Sequence, residues 1–357
     1  MKLSLAAFFL IFIQSLAAGA FQFQDPLDQA SEKTPLATKS AFFVAALAGQ
    51  RSIVAGQRGV IVYSDSNGKS WKQSDVPVSV DLVGLSFPTA REGWAVGHGG
   101  AVLHSVDGGA TWVKQLDGRV AGELAQKYYE AAPADPNNIQ HQALLDQARR
   151  LGKEKETQPF IDVWFKNEKV GYVVGTFNRL FRTDDGGSHW IPMLDKIHNP
   201  DELHFFSVGG RDNDIYITGE RGGVWRWDEP KGRFVAIPTP YNGSLFGLVV
   251  TPRVVIVYGM RGSVFRTVDR GAHWQALPAA SAAGIVSGAL CANGDIILAS
   301  QVGELLVSSN EGVSFGAVAT ARRLPISSVA SANDGTLVVA GPAGMRLETL
   351  PEACKQQ

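Results

Sequence analysis

The sequence predicts an all-β fold, a seven-bladed β-propeller carrying one helical insertion, and three observations predict it. A unit of strand, Gly-x-x-Gly, strand and Ser/Thr-x-Asp-x-Gly-x-x-Trp recurs with a period near 40 residues. In every copy the first turn residue stands eight positions before the start of the box. The chain of 357 residues is rich in Gly (39) and Trp (8) and only 19% charged, which excludes a disordered tail and a coiled coil. A period near 40 with several short strands per unit is the signature of propeller blades.

Taken in order, the first element is a signal peptide over residues 1–20. Lys2 precedes an apolar run over residues 3–18, and Ala18-Gly19-Ala20 is a small-residue cleavage site. A membrane anchor is the alternative, against which stand Gln14 and Ser15 within the run. Export follows, and loss of Lys2 takes the formal net charge from −1 to −2. That balance does not suit a nucleic-acid binder, which is normally basic. Residues 21–40 form a closure segment. The seventh unit has strands near 326–330, 336–340 and 345–350 and then runs out of chain. Residues 23–38 are therefore expected to pair onto blade seven as its missing outer strand and remove an exposed edge. A loose tail is the other reading.

The propeller occupies residues 41–357. Its turn and box positions pair as Gly56/Ser64, Gly97/Ser105, Gly175/Thr183, Gly219/Trp227, Gly259/Thr267, Ser300/Ser308 and Gly341/Thr349. Gly-x-x-Gly is expected to supply positive φ for a tight turn. Successive units lie 41, 78, 44, 40, 41 and 41 residues apart. The long interval holds an insertion at 118–156, a helical hairpin between blades two and three. Val120, Leu124 and Tyr128 mark one helix, Asp135-Pro136-Asn137-Asn138 breaks it, and Asn137 and Gln140 have capping-box spacing. Leu144, Leu145, Ala148 and Leu151 form the stripe of the second helix. The hairpin packs on the propeller or on itself, or else docks a partner.

The residues with chemistry divide into structural and binding sets. Asp107, Gly109 and Trp112, with Asp185, Gly187 and Trp190 and with Asp269, Gly271 and Trp274, are read as box residues. Each Asp would accept N–H groups of its own turn, and each Trp would pack between blades. Arg58, Arg221 and Arg261 share one turn position, between strands two and three of their blades. The box lies between strands three and four, so the three Arg gather on the opposite face of the disc. Arg forks there suit carboxylates, and three solvated surface Arg are the plainer reading. Cys291 and Cys354 fall on the same face in neighbouring blades and are expected to form a disulfide, which export permits. No metal or cofactor site is expected, since no His pair stands at ligand spacing beside the two Cys. Catalysis by a sialidase-like propeller is the alternative class. It needs an Arg trio, a Tyr–Glu nucleophile and an acid, and no recognisable setting for them occurs.

Glu92-Gly93-Trp94-Ala95-Val96-Gly97, followed by Ser105-Val106-Asp107-Gly108-Gly109-Ala110-Thr111-Trp112, resembles the repeat of the photosystem II assembly and stability factor family. Those blades are related to the Asp-box, or bacterial neuraminidase, repeats. Gly171-Tyr172-Val173-Val174-Gly175 continues the likeness, which covers residues 40–350 apart from the insertion. The resemblance implies an exported, non-enzymatic propeller that helps assemble a membrane complex by binding a membrane protein or its exposed tail. Its location would be the periplasm, or the thylakoid lumen in a photosynthetic organism. It also implies an Arg-rich patch for partner binding, and for non-photosynthetic relatives an association with an envelope export system. The helical hairpin departs from the short form of the family. So does the absence of the N-terminal lipidated Cys that cyanobacterial members carry.

Overall fold

In the computed structural model, residues 23–131, 139–278, 281–320, 322–332, 335–350 and 354 are described. The signal-peptide expectation and the Asn137–Gln140 capping box lie outside them. Seven antiparallel sheets follow one another in chain order. Six have four strands, and the seventh has three. The innermost strands are Phe42–Ala48, Leu82–Ser86, Phe160–Phe165, Phe205–Arg211, Leu245–Val250, Ile285–Leu290 and Ser328–Ser331. They surround a central channel. Each second strand is buried between neighbouring blades, throughout in Gly93–Gly97 and Val255–Gly259 and in all but the first residue of Arg51–Gly56, which is why it reads as a largely apolar run.

The boxes are built as their residue types require. In blade two, Asp107 accepts from Ala110 N, Thr111 N and Thr111 Oγ1, while Ser105 Oγ accepts from Gly109 N at 2.8 Å. Trp112 donates Nε1 to Gly109 O and is buried against Ile53 and Val76 of blade one. Asp185 and Asp269 repeat this with His189 and His273, whose Nδ1 atoms lie 2.7 Å from the carboxylates. Trp190 and Trp274 pack toward blades two and four.

The turn glycines differ from expectation. Only the second Gly has positive φ, for example +72° at Gly59 and +71° at Gly262. The first is extended, with φ −167° at Gly56 and −177° at Gly97. What excludes a side chain there is close approach. A Cβ on Gly97 would lie 2.0 Å from Asp81 O, and one on Gly259 would lie 2.1 Å from Ser244 O. In blade six, where Ser300 replaces the glycine, the facing carbonyl belongs to Gly284, so the glycine has moved to the other side of the contact.

Residues 23–38 do not pair onto blade seven. Up to Thr34 they run along the rim of blades one and two, where Ser31 N donates to Val76 O and Gln73 joins Thr34 N to Glu32 O, and Ala37 then packs beside the third strand of blade seven without pairing to it. Asp28 is gripped by Lys114 and by both terminal nitrogens of Arg119. The hydrogen bonds of Arg119, then of Lys114, hold the Asp28 carboxyl well below the usual carboxylate range. The reason is in the residues: Pro26 and Pro35 interrupt strand pairing, and the intervening charges find partners on the rim. Blade seven closes on blade one through side chains instead. Ser328 Oγ accepts from Ala45 N at 3.1 Å, and Ala330, Val338 and Ala340 pack against Phe42 and Val54.

The insertion forms α1 (Gly118–Glu130) and α2 (Ile139–Glu154). Asp117 caps α1, accepting from Arg119 N and Val120 N. Desolvation opposes its charge, yet hydrogen bonds from Arg119 and Lys114 outweigh it and hold the carboxyl down at about 2. The buried face of α1 is not the expected one. Val120 and Tyr128 are exposed, while Ala121, Gly122, Ala125 and Tyr129 face inward. Small residues there let the helices touch: a Cβ on Gly122 would lie 2.4 Å from Leu151 O. On α2, Leu145, Ala148 and Leu151 are buried as the stripe predicts. Among the described residues no helix is long and apolar enough to cross a membrane.

Candidate partner-binding face

Each blade meanders, so the connection from its fourth strand to the next blade emerges on the same face as the turn between strands two and three. The boxes occupy the other face. The first face therefore carries the Arg turns, the residue 23–38 segment and the helical hairpin together. The hairpin covers blades two and three: Gly100 abuts Gly118, and Gln147 donates to Phe177 O. The hairpin leaves blade one and blades four to seven uncovered, and three of these five, blades one, four and five, carry the Arg.

The Arg turns are type I′. Arg58, Arg221 and Arg261 have φ of 53°, 52° and 58°, and each is followed by a Gly of positive φ. The first position of such a turn favours Asn, Asp or Gly. The same place holds Gly99 in blade two and Phe177 in blade three, both also at positive φ. A left-handed Arg costs about 1 kcal/mol, so three of them oppose the local preference of the backbone. The surroundings fix the turn and leave the side chain outward. Arg58 N donates to Asp81 Oδ1 and its carbonyl accepts from Ser31 Oγ. Tyr241 donates its hydroxyl to Met260 O beside Arg261. All three Arg are exposed. Arg221 pairs with Asp201 at 2.8 Å. The guanidinium groups of Arg58 and Arg261 have no acidic partner among the described residues.

Three further Arg were missed by sequence reasoning. Arg322 and Arg323 lie on the connection from blade six to blade seven, on the same face and exposed. Arg323 Nη1 is 3.8 Å from Glu304. Their tandem placement just beyond the sixth box was the available signal. Arg179 is fully buried beneath the hairpin, donating to the carbonyls of Gln158 and Lys155. Desolvation lowers its pKa to about 10. It anchors the chain where it leaves α2, and Val60, Ala101 and Ser263 at the same repeat position gave the clue.

The channel opens at the centre of this face, with a cavity volume of about 660 Å³. Its wall is stitched from blade to blade by side-chain oxygens that accept strand N–H groups. Ser86 bonds Phe165 N, Ser287 bonds Val329 N, and Asp162 Oδ2 takes both Val208 N and Ser207 Oγ. Desolvation pushes the Asp162 carboxyl up to about 6 against those hydrogen bonds. Its ordinary value is 3.8, so between the two values the folded chain holds more protons than the unfolded one. Stability then falls as pH rises from about 4 to about 6 and is level above. Urea midpoints at pH 4, 5, 6 and 7 should show this fall in the wild type and a smaller one in Asp162→Asn.

Cys291 and Cys354 meet on the box face at the junction of blades six and seven, joined as a disulfide with Cα atoms 5.0 Å apart. Asp295 ties the junction, its carbonyl accepting from Cys291 N and its carboxylate from Cys354 N.

Residues 148–337 match the family described as photosynthesis system II assembly factor YCF48. The photosystem II assembly lipoprotein Ycf48 of Synechococcus sp. (strain CC9902) is 24% identical over 171 residues, 46% of this chain. The chain spans about half the length of that relative, 50%. Among solved structures, YCF48 bound to D1 peptide superimposes with TM-score 0.62 at 15% identity, over 93% of this chain and 99% of that one. The WD40 propeller domain of Doa1 gives 0.63 at 11% identity, over 93% and 99%. The two scores are equal in practice, so likeness of shape identifies the propeller and says nothing about its partner. The sequence match is what discriminates: it runs from α2 to the second strand of blade seven and covers more than half of the residues, and the chain belongs to the photosynthesis system II assembly factor YCF48 family.

Proposed function

We propose that this chain is an exported, non-catalytic assembly factor that binds the exposed, carboxylate-bearing tail of a membrane protein on the Arg face. One observation carries the reading: three Arg stand at left-handed turn positions where the backbone prefers Gly or Asn, on uncovered blades of one face. Residues held against local preference are a motivation for seeking function. Family membership supports an assembly role, and a structural neighbour is solved with a D1 peptide. The boxes favour binding over hydrolysis, because Asp107, Asp185 and Asp269 are each engaged by donors of their own turn. The periplasm or the thylakoid lumen suits such a protein, and an envelope export system is a further candidate complex.

The test is capture. The mature chain is immobilised and detergent-solubilised membranes from its source are passed over it. A membrane subunit should be retained, eluted by a free-acid peptide of its own exposed tail, and not by the amidated peptide. Retention that is indifferent to both peptides would remove the carboxylate from the mechanism.

A further inference from the structure

The innermost strand of blades one to six carries a β-bulge at its second residue. The register skips between Phe42 and Val44, Leu82 and Gly84, Phe205 and Ser207, Leu245 and Gly247, and Ile285 and Ser287, with the matching break in blade three opposite Phe160 and Asp162. A bulge re-aims the extra residue. Here those residues are Phe43, Val83, Ile161, Phe206, Phe246 and Val286, and all line the channel at the end that opens on the Arg face. Blade seven places Ser327 there. The result is an apolar collar, half-exposed all the way round.

The collar is not uniform. Its three Phe belong to blades one, four and five, the three blades whose turns carry Arg58, Arg221 and Arg261. Each Phe precedes its Arg by fifteen residues, whereas the corresponding spacing in the other four blades is sixteen. Phe and Arg therefore mark one blade type. Phe206 and Phe246 meet edge to face, with centroids 5.7 Å apart. Exposed Phe177, Met260 and Val302 continue the apolar character onto the rim. Deeper in, Asp162, Ser207, Ser287 and Ser328 bring polar atoms into a wall that also holds Leu85, Trp164, Leu248 and Val250.

We infer that the channel mouth is the specificity subsite of the partner tail: the collar takes apolar side chains next to the chain terminus while the Arg turns hold the carboxylate. The inference rests on the reading of the Arg face given above. The occupant is an extended peptide with a free C-terminus and one or more large apolar residues among its last few. Charge complementarity argues for the carboxylate, since Arg58 and Arg261 have no acidic partner among the described residues. The polar atoms beneath the collar argue for a peptide over an acyl chain, because the Ser287 and Ser328 hydroxyls accept strand N–H groups and keep a hydrogen to donate, which a peptide C=O can take and hydrocarbon cannot. A volume of about 660 Å³ lies within the range of ligand-binding cavities.

The experiment uses decapeptides displayed with free C-termini and selected on the mature wild-type chain, on Phe43→Val/Phe206→Val/Phe246→Val, and on Arg58→Gly/Arg221→Gly/Arg261→Gly. Val already stands at this position in blades two and six, so the first variant keeps a residue that the fold accepts; Phe246→Val alone is run beside it in case the triple change unfolds. The wild type should enrich large apolar residues in the last three positions at least tenfold, and both Phe variants should lower that enrichment while still preferring free acid over amide. The Arg variant should lose the acid preference. Wild-type enrichment without apolar bias, a bias retained by the Phe variants, or binding to phosphatidylglycerol vesicles with the peptides ignored would overturn the collar as a peptide subsite. Equal binding of amide and acid, with the apolar bias intact, would instead overturn the carboxylate reading and leave the collar standing.

Discussion

Replacing Arg58, Arg221 and Arg261 together by Glu is expected to abolish capture of a carboxylate-terminated partner while leaving the fold intact. A hydrogen bond to a charged group contributes about 1.5–3 kcal/mol. Losing two of them corresponds to roughly 10²- to 10⁴-fold in affinity, and reversed charge adds repulsion. Stability should change little, since exposed substitutions usually cost within about 0.5 kcal/mol. Replacement by Gly separates binding from folding more sharply. Gly99 already occupies this turn position in blade two, and Gly relieves the left-handed strain that each Arg bears. The Gly triple variant should therefore melt at or above the wild-type temperature and still fail to bind. Unchanged affinity in either variant, by titration calorimetry with the free-acid tail peptide, would return the three Arg to the status of solvated surface residues.

Removing the Cys291–Cys354 bond is expected to have the largest effect on stability. The bond spans 63 residues, for which chain-entropy reasoning gives about 4 kcal/mol, commonly less in practice. Blade seven is where that constraint matters most. Its sheet has three strands where the others have four, and residues 23–38 pair no strand onto it, their end only packing beside its third strand at Ala37. Both cysteines are buried in one cluster with Ile326, Leu337, Val339 and Leu350, so the bond pins the end of the chain onto the junction of blades six and seven. Cys291→Ala/Cys354→Ala should lower the urea midpoint with little change in slope, and dithiothreitol should do the same to the wild type. Intact-mass analysis after alkylation without reductant should show no modified thiol. Two alkylated thiols, or an unaltered midpoint, would show that the tail is held by packing alone.

Much of this architecture was legible because the repeat is local. The eight residues between each turn and its box are a hairpin arm, and hairpin length is set by short-range geometry. Seven copies in one register therefore fix the blade count, and strand parity alone puts Arg58, Arg221 and Arg261 on the face away from Asp107, Asp185 and Asp269. Cys291 and Cys354 could be placed in adjacent blades by the same parity. The helical hairpin was legible as helix, but its inward face was not. Hydrophobicity selects Val120 and Tyr128, whereas close approach of two backbones selects Gly122 and Ala125, and that approach exists only once α2 is docked. The path of residues 23–38 was not legible either. It is decided by single polar contacts such as Asp28 with Arg119, 91 positions apart, which leave no periodic trace. The apolar collar was hidden for a third reason. A side chain on a strand faces one way or the other by parity, and a one-residue bulge reverses that parity. Phe43, Phe206 and Phe246 could thus be read as strand residues from the sequence, but only the paired sheets decided that they line the channel.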